Sequence, residues 1–139
     1  MSHVISTISY RGILFDFDGV LAQSMEDNFK ARQAATAEYG LTITREDYFP
    51  LEGMPVNEVA EKLFQIYGQN VRDTQKVAEL KDDYYLKLHQ FKLYPSVTAL
   101  IDNLAENQIP IGIVTAAHKD RILKTVPGTF LEKFNALVT

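Results

Sequence analysis

Apolar residues run through short stretches of the chain in the pattern of strands buried on both faces of a parallel sheet. The first stretch covers residues 13–17, where Asp16 is the only polar side chain, and Gly19 ends it. A second covers residues 109–115, and residues 134–138 have the composition of a third. We therefore predict three parallel strands.

Helical patterns dominate the remaining segments. Residues 25–39 are rich in alanine and stop at Gly40, a residue suited to the end of a helix. Further helices are predicted over residues 55–68, 77–91, 97–104 and 119–125, most of them from apolar residues spaced by three and four. The order of strand, helices, strand, helix and strand predicts an α/β fold with right-handed crossovers and a helical insertion after the first strand.

Two segments, residues 20–24 and 91–96, attach this insertion to the predicted sheet. Paired attachments of this kind commonly act as hinges for a lid over a site. We expect such a lid here, and a rigid helical decoration is the alternative.

Composition narrows the class of protein. The net charge of −4 disfavours nucleic acid and anionic membranes as partners. No apolar run approaches the roughly 18 residues needed to span a bilayer, and residues 1–10 do not resemble a signal peptide. Cysteine is absent, and the histidines at positions 3, 89 and 118 form no metal-binding cluster. We therefore expect a soluble cytoplasmic protein.

The candidate chemistry lies at the end of the first strand. Asp16 and Asp18 are two positions apart, so their side chains are expected on the same face. Ligands of open α/β sheets bind at the carboxyl ends of the strands, and two carboxylates placed there need a compensating cation. Hard oxygen ligands beside a substrate phosphate favour Mg²⁺. The alternative is that both aspartates are solvated loop residues without a functional role.

Two motifs together resemble those of the haloacid dehalogenase superfamily. Residues 16–21, Asp-Phe-Asp-Gly-Val-Leu, resemble its first motif, and residues 113–117, Ile-Val-Thr-Ala-Ala, resemble its second. The resemblance covers essentially the whole chain and is closest in pattern to phosphoglycolate-phosphatase-like and β-phosphoglucomutase-like members. It implies a Rossmann-like parallel-sheet core over residues 1–21 and 93–139, and a helical cap over residues 22–92.

The resemblance also implies separate roles for the two aspartates. Asp16 would be the nucleophile that forms an aspartyl-phosphate, and Asp18 the general acid/base. Magnesium would be held by the Asp16 carboxylate and the Asp18 backbone carbonyl. Because a true dehalogenase lacks the second aspartate, Asp18 favours phosphate over halide substrates.

Phosphate binding is expected at the end of the second predicted strand. The Thr115 hydroxyl and the amides of Ala116 and Ala117 can donate to phosphate oxygens, although Thr115 alone also fits a simple helix cap. His118 follows, either touching substrate or lid or lying exposed. Within the cap, Glu52 and Gly53 resemble part of a substrate-specificity loop, and Glu52 either faces the site or is solvated.

The family pattern includes two later motifs, a lysine and an acidic pair, that this sequence lacks. We therefore expect impaired activity of the 139-residue chain, and an apolar sheet edge beside Asp16 that favours self-association. The leading hypothesis is a magnesium-dependent phosphomonoester hydrolase acting on a small phosphorylated metabolite. A sugar-phosphate mutase and a non-catalytic fragment that binds phosphate, metal or a partner chain are the alternatives.

Overall fold

Three parallel strands form the sheet in the computed structural model, which describes residues 11–139. They are β1 (Ile13–Phe15), β2 (Ile111–Val114) and β3 (Ala136–Val138), in the spatial order β1-β2-β3. Leu14 is in register with Gly112, and Gly112 in turn with Ala136. The predicted α/β fold is confirmed. Residues 1–10 lie outside the described residues. The first part of the predicted core and the signal-peptide assessment fall on them.

Seven helices accompany the sheet between residues 11 and 139. They are α1 (Met25–Ala37), α2 (Arg45–Tyr48), α3 (Val56–Ile66), α4 (Thr74–Leu88), α5 (Val97–Glu106), α6 (Lys119–Thr125) and α7 (Gly128–Leu131). A 3₁₀ turn, Phe49–Leu51, follows α2 directly. The sequence pattern missed α2 and α7 because four residues are too few to show a helical period. A capping box between Thr44 and Asp47 begins α2.

Two hydrophobic clusters hold the molecule together. In the sheet region, which we define as the three strands with α5 to α7, the cluster centres on Phe17, Ile101 and Ile113. In the helical region, α1 to α4, it centres on Phe29 and Leu63. The division into a core of residues 1–21 and 93–139 and a cap of residues 22–92 stays a prediction.

The two attachments of the helical region lie side by side. The Gln23 amide donates to the Lys92 carbonyl at 2.7 Å, and the Tyr94 amide donates to the Leu21 carbonyl at 3.1 Å. Ala22 also forms an antiparallel bridge with Leu93. These bonds join both chain crossings into one narrow connection, which is a suitable place for a hinge; the lid motion itself stays a prediction.

Within the part of the chain that the structure describes, helices cover one face of the sheet and leave the other face uncovered. Leu14, Val114 and Val138 share this second face and are 69, 40 and 53% exposed. On the covered face, Ile113 is fully buried. β1 is also at the end of the strand order, as predicted for the strand that leads to Asp16. No helix among residues 11–139 has the length and apolar character to cross a membrane.

Candidate active site

A tight loop after β1 presents the two aspartates. Phe17 is only 2% exposed because it turns into the sheet-region cluster. Its carbonyl accepts hydrogen bonds from the amides of the three residues Val20–Ala22 at 2.9 to 3.1 Å, which closes the loop. Gly19 has φ = +78°, and a Cβ there would lie 2.9 Å from the Met25 sulfur. This backbone leaves Asp16 exposed and Asp18 half-buried at the rim of one cavity.

The end of β2 supplies the second wall. The Thr115 amide donates to the Val138 carbonyl at 2.9 Å, which continues the sheet ladder by one residue. The Thr115 hydroxyl oxygen accepts a hydrogen bond of 3.1 Å from the Ala117 amide. In this structure the loop is therefore closed on itself by a bond between two of the residues predicted to bind phosphate.

A cavity of about 230 Å³ separates the strand ends from the helical region. The sheet region contributes acidic, hydroxyl and backbone groups and one arginine: Asp16, Asp18, Thr115, Ala116, Ala117 and Arg121. The helical region contributes polar and charged groups as well as apolar side chains: Asn28, Arg32, Tyr48, Glu52, Gly53 and Lys81, with Met25, Met54, Val56 and Val59. The structure thus brings together every predicted site residue except His118.

Asp18 is held by three donors. Its side chain pairs with the Arg121 guanidinium and accepts hydrogen bonds from the Ser24 hydroxyl at 2.5 Å and the Asn28 amide at 3.3 Å. Burial pushes the pKa of Asp18 upward, but the Arg121 charge and these hydrogen bonds outweigh it and hold the pKa below its ordinary value. Asp18 is therefore an ionised carboxylate in this arrangement.

Arg121 connects Asp18 to the helical region. Its side chain is 2% exposed, and its guanidinium stacks on the Tyr85 ring of α4 at 4.5 Å from the centroid. Burial lowers the pKa of Arg121, but the Asp18 charge outweighs this and raises the pKa overall. One side chain of α6 thus contacts both the candidate acid/base and a helix of the opposite wall.

Lys81 projects into the cavity from α4. It is 4% exposed, donates to the Asn28 side-chain oxygen at 2.6 Å and lies 3.6 Å from Asp82. Burial, with the nearby positive charges of Arg121 and Arg32, lowers its pKa to about 7. The lysine is therefore poised between its charged and neutral forms near neutral pH.

Glu52 and Gly53 lie in the cavity wall, where the specificity loop was expected. The Glu52 carboxylate accepts a hydrogen bond from the Tyr48 hydroxyl. Burial and the Asp18 charge raise the pKa of Glu52 against the opposing effect of that hydrogen bond. Of the two alternatives for Glu52, the side chain faces the cavity, and its role there stays a prediction.

His118 does not line this cavity. It directly precedes α6, and its Nδ1 lies 2.9 Å from the Asp82 carboxylate of α4. The residue therefore bridges the sheet region and the helical region, which fits the predicted contact with the lid.

Three buried cations of the site, Arg32, Lys81 and Arg121, were not anticipated from the sequence. A signal existed for Lys81, because a charged residue in a buried helical stripe is unusual. Lys81 is spaced by four residues from both Val77 and Tyr85, and all three are buried. The three-and-four spacing of apolar residues instead predicts a stripe through positions 77, 80, 84, 88 and 91. Position 77 is buried, but positions 80, 84 and 88 are only half-buried, so the predicted face of α4 was wrong by one position there.

Comparison with known proteins assigns the family. A family model described as haloacid dehalogenase-like hydrolase matches residues 13–139. The chain therefore belongs to the haloacid dehalogenase-like hydrolases.

Two curated relatives are 32% and 29% identical to the chain over the aligned residues. A phosphoglycolate phosphatase of Yersinia pseudotuberculosis is 32% identical over 110 residues, which are 76% of this chain and 47% of that protein. The pyrophosphatase PpaX of Listeria innocua is 29% identical over 128 residues, 91% of this chain and 57% of that protein. The chain spans about half the length of the curated relatives it matches.

Solved structures confirm the fold. A hydrolase from Pseudomonas syringae superposes with a TM-score of 0.81 at 20% identity, covering 93% of this chain and 61% of that one. A β-phosphoglucomutase from Clostridium difficile gives a TM-score of 0.77 at 18% identity, again over 93% and 61%. The three strands and their helices thus match part of a Rossmann-like hydrolase core with accompanying helices.

Proposed function

We propose that the site performs magnesium-dependent phosphoryl transfer from a small phosphorylated metabolite through an aspartyl-phosphate on Asp16. The observation that carries the proposal is the convergence of Asp16, Asp18 and Thr115 on one cavity at the strand ends. Ligands of parallel α/β sheets bind at this end. Membership of a hydrolase family that includes phosphatases supports the same chemistry.

The environments of the two aspartates suit different roles. Asp16 is exposed, and one of its oxygens accepts a hydrogen bond of 2.7 Å from the Phe17 amide, which orients the other oxygen for attack on phosphorus. Asp18 is half-buried and positioned by Arg121 and Ser24. Its ionised form suits the base that takes a proton from water, and to act first as the acid toward the leaving oxygen it must be protonated when the substrate is bound. Thr115 lines the same cavity, and in this proposal its hydroxyl donates to the phosphate.

The donor set fits magnesium. Asp16 offers an exposed carboxylate, and within residues 11–139 no amide donates to the Asp18 carbonyl. Both are hard oxygen donors of the kind Mg²⁺ takes together with substrate phosphate. The ion, when bound there, would neutralise charge on the transferring phosphate.

Hydrolysis is the leading outcome of this chemistry, and the alternative is a mutase that returns the phosphoryl group to a sugar phosphate. Free phosphate as product favours the hydrolase, and sugar bisphosphates favour the mutase. We further propose that the 139-residue chain turns over slowly, because the sequence lacks the lysine and acidic pair of the family pattern. A cytoplasmic location stays a prediction.

The decisive experiment tests whether Asp16 can carry a phosphoryl group, and it does not require turnover. Beryllofluoride mimics an aspartyl-phosphate, and ¹⁹F NMR detects it when it is bound. We expect a bound signal with the parent protein and Mg²⁺, no signal with Asp16→Asn, and an unchanged signal with Asp83→Asn, an exposed aspartate on α4. Phosphate release from p-nitrophenyl phosphate, measured in parallel, is expected to be slow and to disappear in Asp16→Asn.

Two outcomes contradict the proposal. A bound signal that survives Asp16→Asn would place the reacting group elsewhere. The absence of a signal in the parent protein at millimolar Mg²⁺ and beryllofluoride would favour the non-catalytic alternative.

A further inference from the structure

The Arg121 guanidinium is buried and has few polar partners. Its Nη2 donates to the Asp18 carboxylate, whereas its Nε and Nη1 have no hydrogen-bond partner among residues 11–139. A single hydrogen bond fixes the orientation of a planar guanidinium less well than a pair of bonds does. The direction in which Arg121 points therefore depends on a further contact.

Tyr85 of α4 supplies this contact. The Arg121 Cζ lies 4.5 Å from the centre of the Tyr85 ring, the distance of a cation over an aromatic face. Tyr85 is only 4% exposed, so water competes little with the guanidinium for the ring. Burial raises the pKa of the Tyr85 hydroxyl to about 12 although the Arg121 charge opposes the rise, so a neutral ring meets the guanidinium.

The orientation of the Asp18 carboxylate depends on Arg121. The Ser24 hydroxyl and the Asn28 amide both donate to Oδ1 of Asp18, at 2.5 and 3.3 Å. Among the described residues, only Arg121 donates to Oδ2. Because the terminal torsion of an aspartate has only a broad preference of its own, donors on both oxygens are needed to fix its rotation. Loss of Arg121 would leave Oδ2 free to move.

The Tyr85 ring is itself held in place. The His89 ring stacks on it, with 5.3 Å between the ring centres and 15° between the planes. The Lys81 ammonium lies 5.2 Å from the same ring centre. Within the described part of the chain, the residues that line the cavity include Lys81 and Arg121 but not Tyr85. An effect of Tyr85 on the chemistry therefore has to pass through a neighbour.

We propose that Tyr85 is a positioning residue, which fixes Arg121 and through it holds the Asp18 carboxylate toward the oxygen that enters or leaves at phosphorus. Because Asp18 moves this proton only in the proposed function, the role of Tyr85 rests on that function. Position matters strongly here, since a displacement of about 1 Å can cost on the order of 100-fold in rate.

Two metal fluorides separate the position of Asp18 from binding at Asp16. Beryllofluoride mimics the aspartyl-phosphate itself, whereas tetrafluoroaluminate mimics the phosphoryl group in transfer, with a water molecule opposite Asp16 for Asp18 to contact. Titrations followed by ¹⁹F NMR in the presence of Mg²⁺ give both affinities without turnover. We expect Tyr85→Leu to weaken tetrafluoroaluminate binding about tenfold and to leave beryllofluoride binding within about twofold. Tyr85→Phe keeps the ring and should bind both within about twofold of the parent protein.

Tyr84→Leu is the matched control. The Tyr84 hydroxyl donates to Glu38 at 2.7 Å, and neither residue lines the cavity, so both affinities should stay unchanged. A double variant tests the route through Arg121. Arg121→Met should weaken tetrafluoroaluminate binding at least as much as Tyr85→Leu does. Adding Tyr85→Leu to Arg121→Met should cause no further loss, because the ring then has no guanidinium to position.

The fold of the variants is checked by thermal unfolding. The contact of 2.9 Å between His118 and Asp82 also joins α4 to the start of α6, so the two helices stay connected when the Tyr85 ring is removed. Should Tyr85→Leu melt below the assay temperature, Tyr85→Met fills more of the space without a ring and carries the same expectation.

The possible failures are distinguishable. Equal losses of both fluorides in Tyr85→Leu, no loss at all, or a further loss in the double variant would overturn the role of Tyr85 alone. Beryllofluoride binding without tetrafluoroaluminate binding in the parent protein would overturn it too, because Asp18 would then not be positioned. A parent protein that binds no beryllofluoride would overturn the proposed phosphoryl site on Asp16, and the role of Tyr85 with it.

Discussion

At the scale of single residues, the site is defined by charges that the fold has partly removed from water. Asp18 stays ionised because Arg121 faces it, and Arg121 in turn is held against the Tyr85 ring. Lys81 is affected by the charges of two guanidiniums, Arg121 and Arg32, and donates a hydrogen bond to the Asn28 side chain. Such groups usually lower the free energy of unfolding and are retained where a ligand uses them. Stability measurements on these residues therefore report on the site.

Lys81 should make stability depend on pH. Its pKa falls from 10.5 in the unfolded chain to about 7 in the folded protein, so between these values the unfolded chain binds more protons. The free energy of unfolding of the parent protein relative to Lys81→Met should therefore rise with pH above about 7, by at most about 1.4 kcal/mol per unit. Urea unfolding at pH 6, 7.5 and 9 measures this.

The groups facing Lys81 are Asp82 on its own helix, Asn28 and Arg32 on α1, and Asp18 and Arg121 from the sheet region. Loss of the Lys81 bond to Asn28 adds a penalty that does not change with pH, so only the slope is diagnostic. Lys76→Met, on the exposed side of α4, is the control and should give a pH-independent difference, because its side chain is in water in both states. The prediction would be contradicted if the free energy of unfolding of the parent protein, minus that of Lys81→Met, stays flat or falls from pH 7.5 to 9.

At the scale of elements, hydrophobic patterning predicted the long segments and missed the short ones. The helix over residues 119–125 was predicted with the observed bounds, and the strands were predicted two residues too long or more. Strand ends are set by pairing with neighbours, which a single sequence does not show. The two-residue offset matters at Asp16 and Asp18, which follow β1 in a loop rather than continuing the strand.

For the site, the residues at the strand ends were predicted and those on the helices were not. The carboxyl-end rule placed Asp16, Asp18 and Thr115 together, because residues at strand ends meet wherever the sheet is parallel. Arg32 and Lys81 lie on helices whose packing against the sheet region is a tertiary feature. Their convergence on the cavity followed from no local pattern.

The loop after β1 should be sensitive to a single methyl group. Gly19→Ala places a side chain at φ = +78° and 2.9 Å from the Met25 sulfur. Gly68→Ala imposes a similar backbone strain at φ = +69°, but its Cβ meets nothing within 4 Å. We expect Gly68→Ala to lower the free energy of unfolding by about 1 kcal/mol, and Gly19→Ala by roughly 1–3 kcal/mol more. Urea unfolding compares the two, and equal losses would show that the Met25 contact is unimportant.

At the scale of the whole molecule, the sheet carries an apolar face that residues 11–139 leave uncovered. Leu14 lies both on this face and on the edge strand β1, and it is 69% exposed. Its side chain packs against Gly112 of the neighbouring strand, where a Cβ would approach it to 2.8 Å. Exposed apolar edges of this kind pair with other chains unless charges oppose them.

Self-association should therefore depend on Leu14. We expect the parent protein to form dimers or larger species as its concentration rises from micromolar to hundreds of micromolar, measured by sedimentation velocity. Leu14→Lys should shift this association at least about tenfold toward monomer, because a lysine on an edge strand disfavours pairing between strands. Leu123→Lys changes a leucine that is 52% exposed on α6 and should leave association unchanged. A parent protein that stays monomeric throughout, or an equal effect of both lysines, would show that this face of the sheet does not drive assembly.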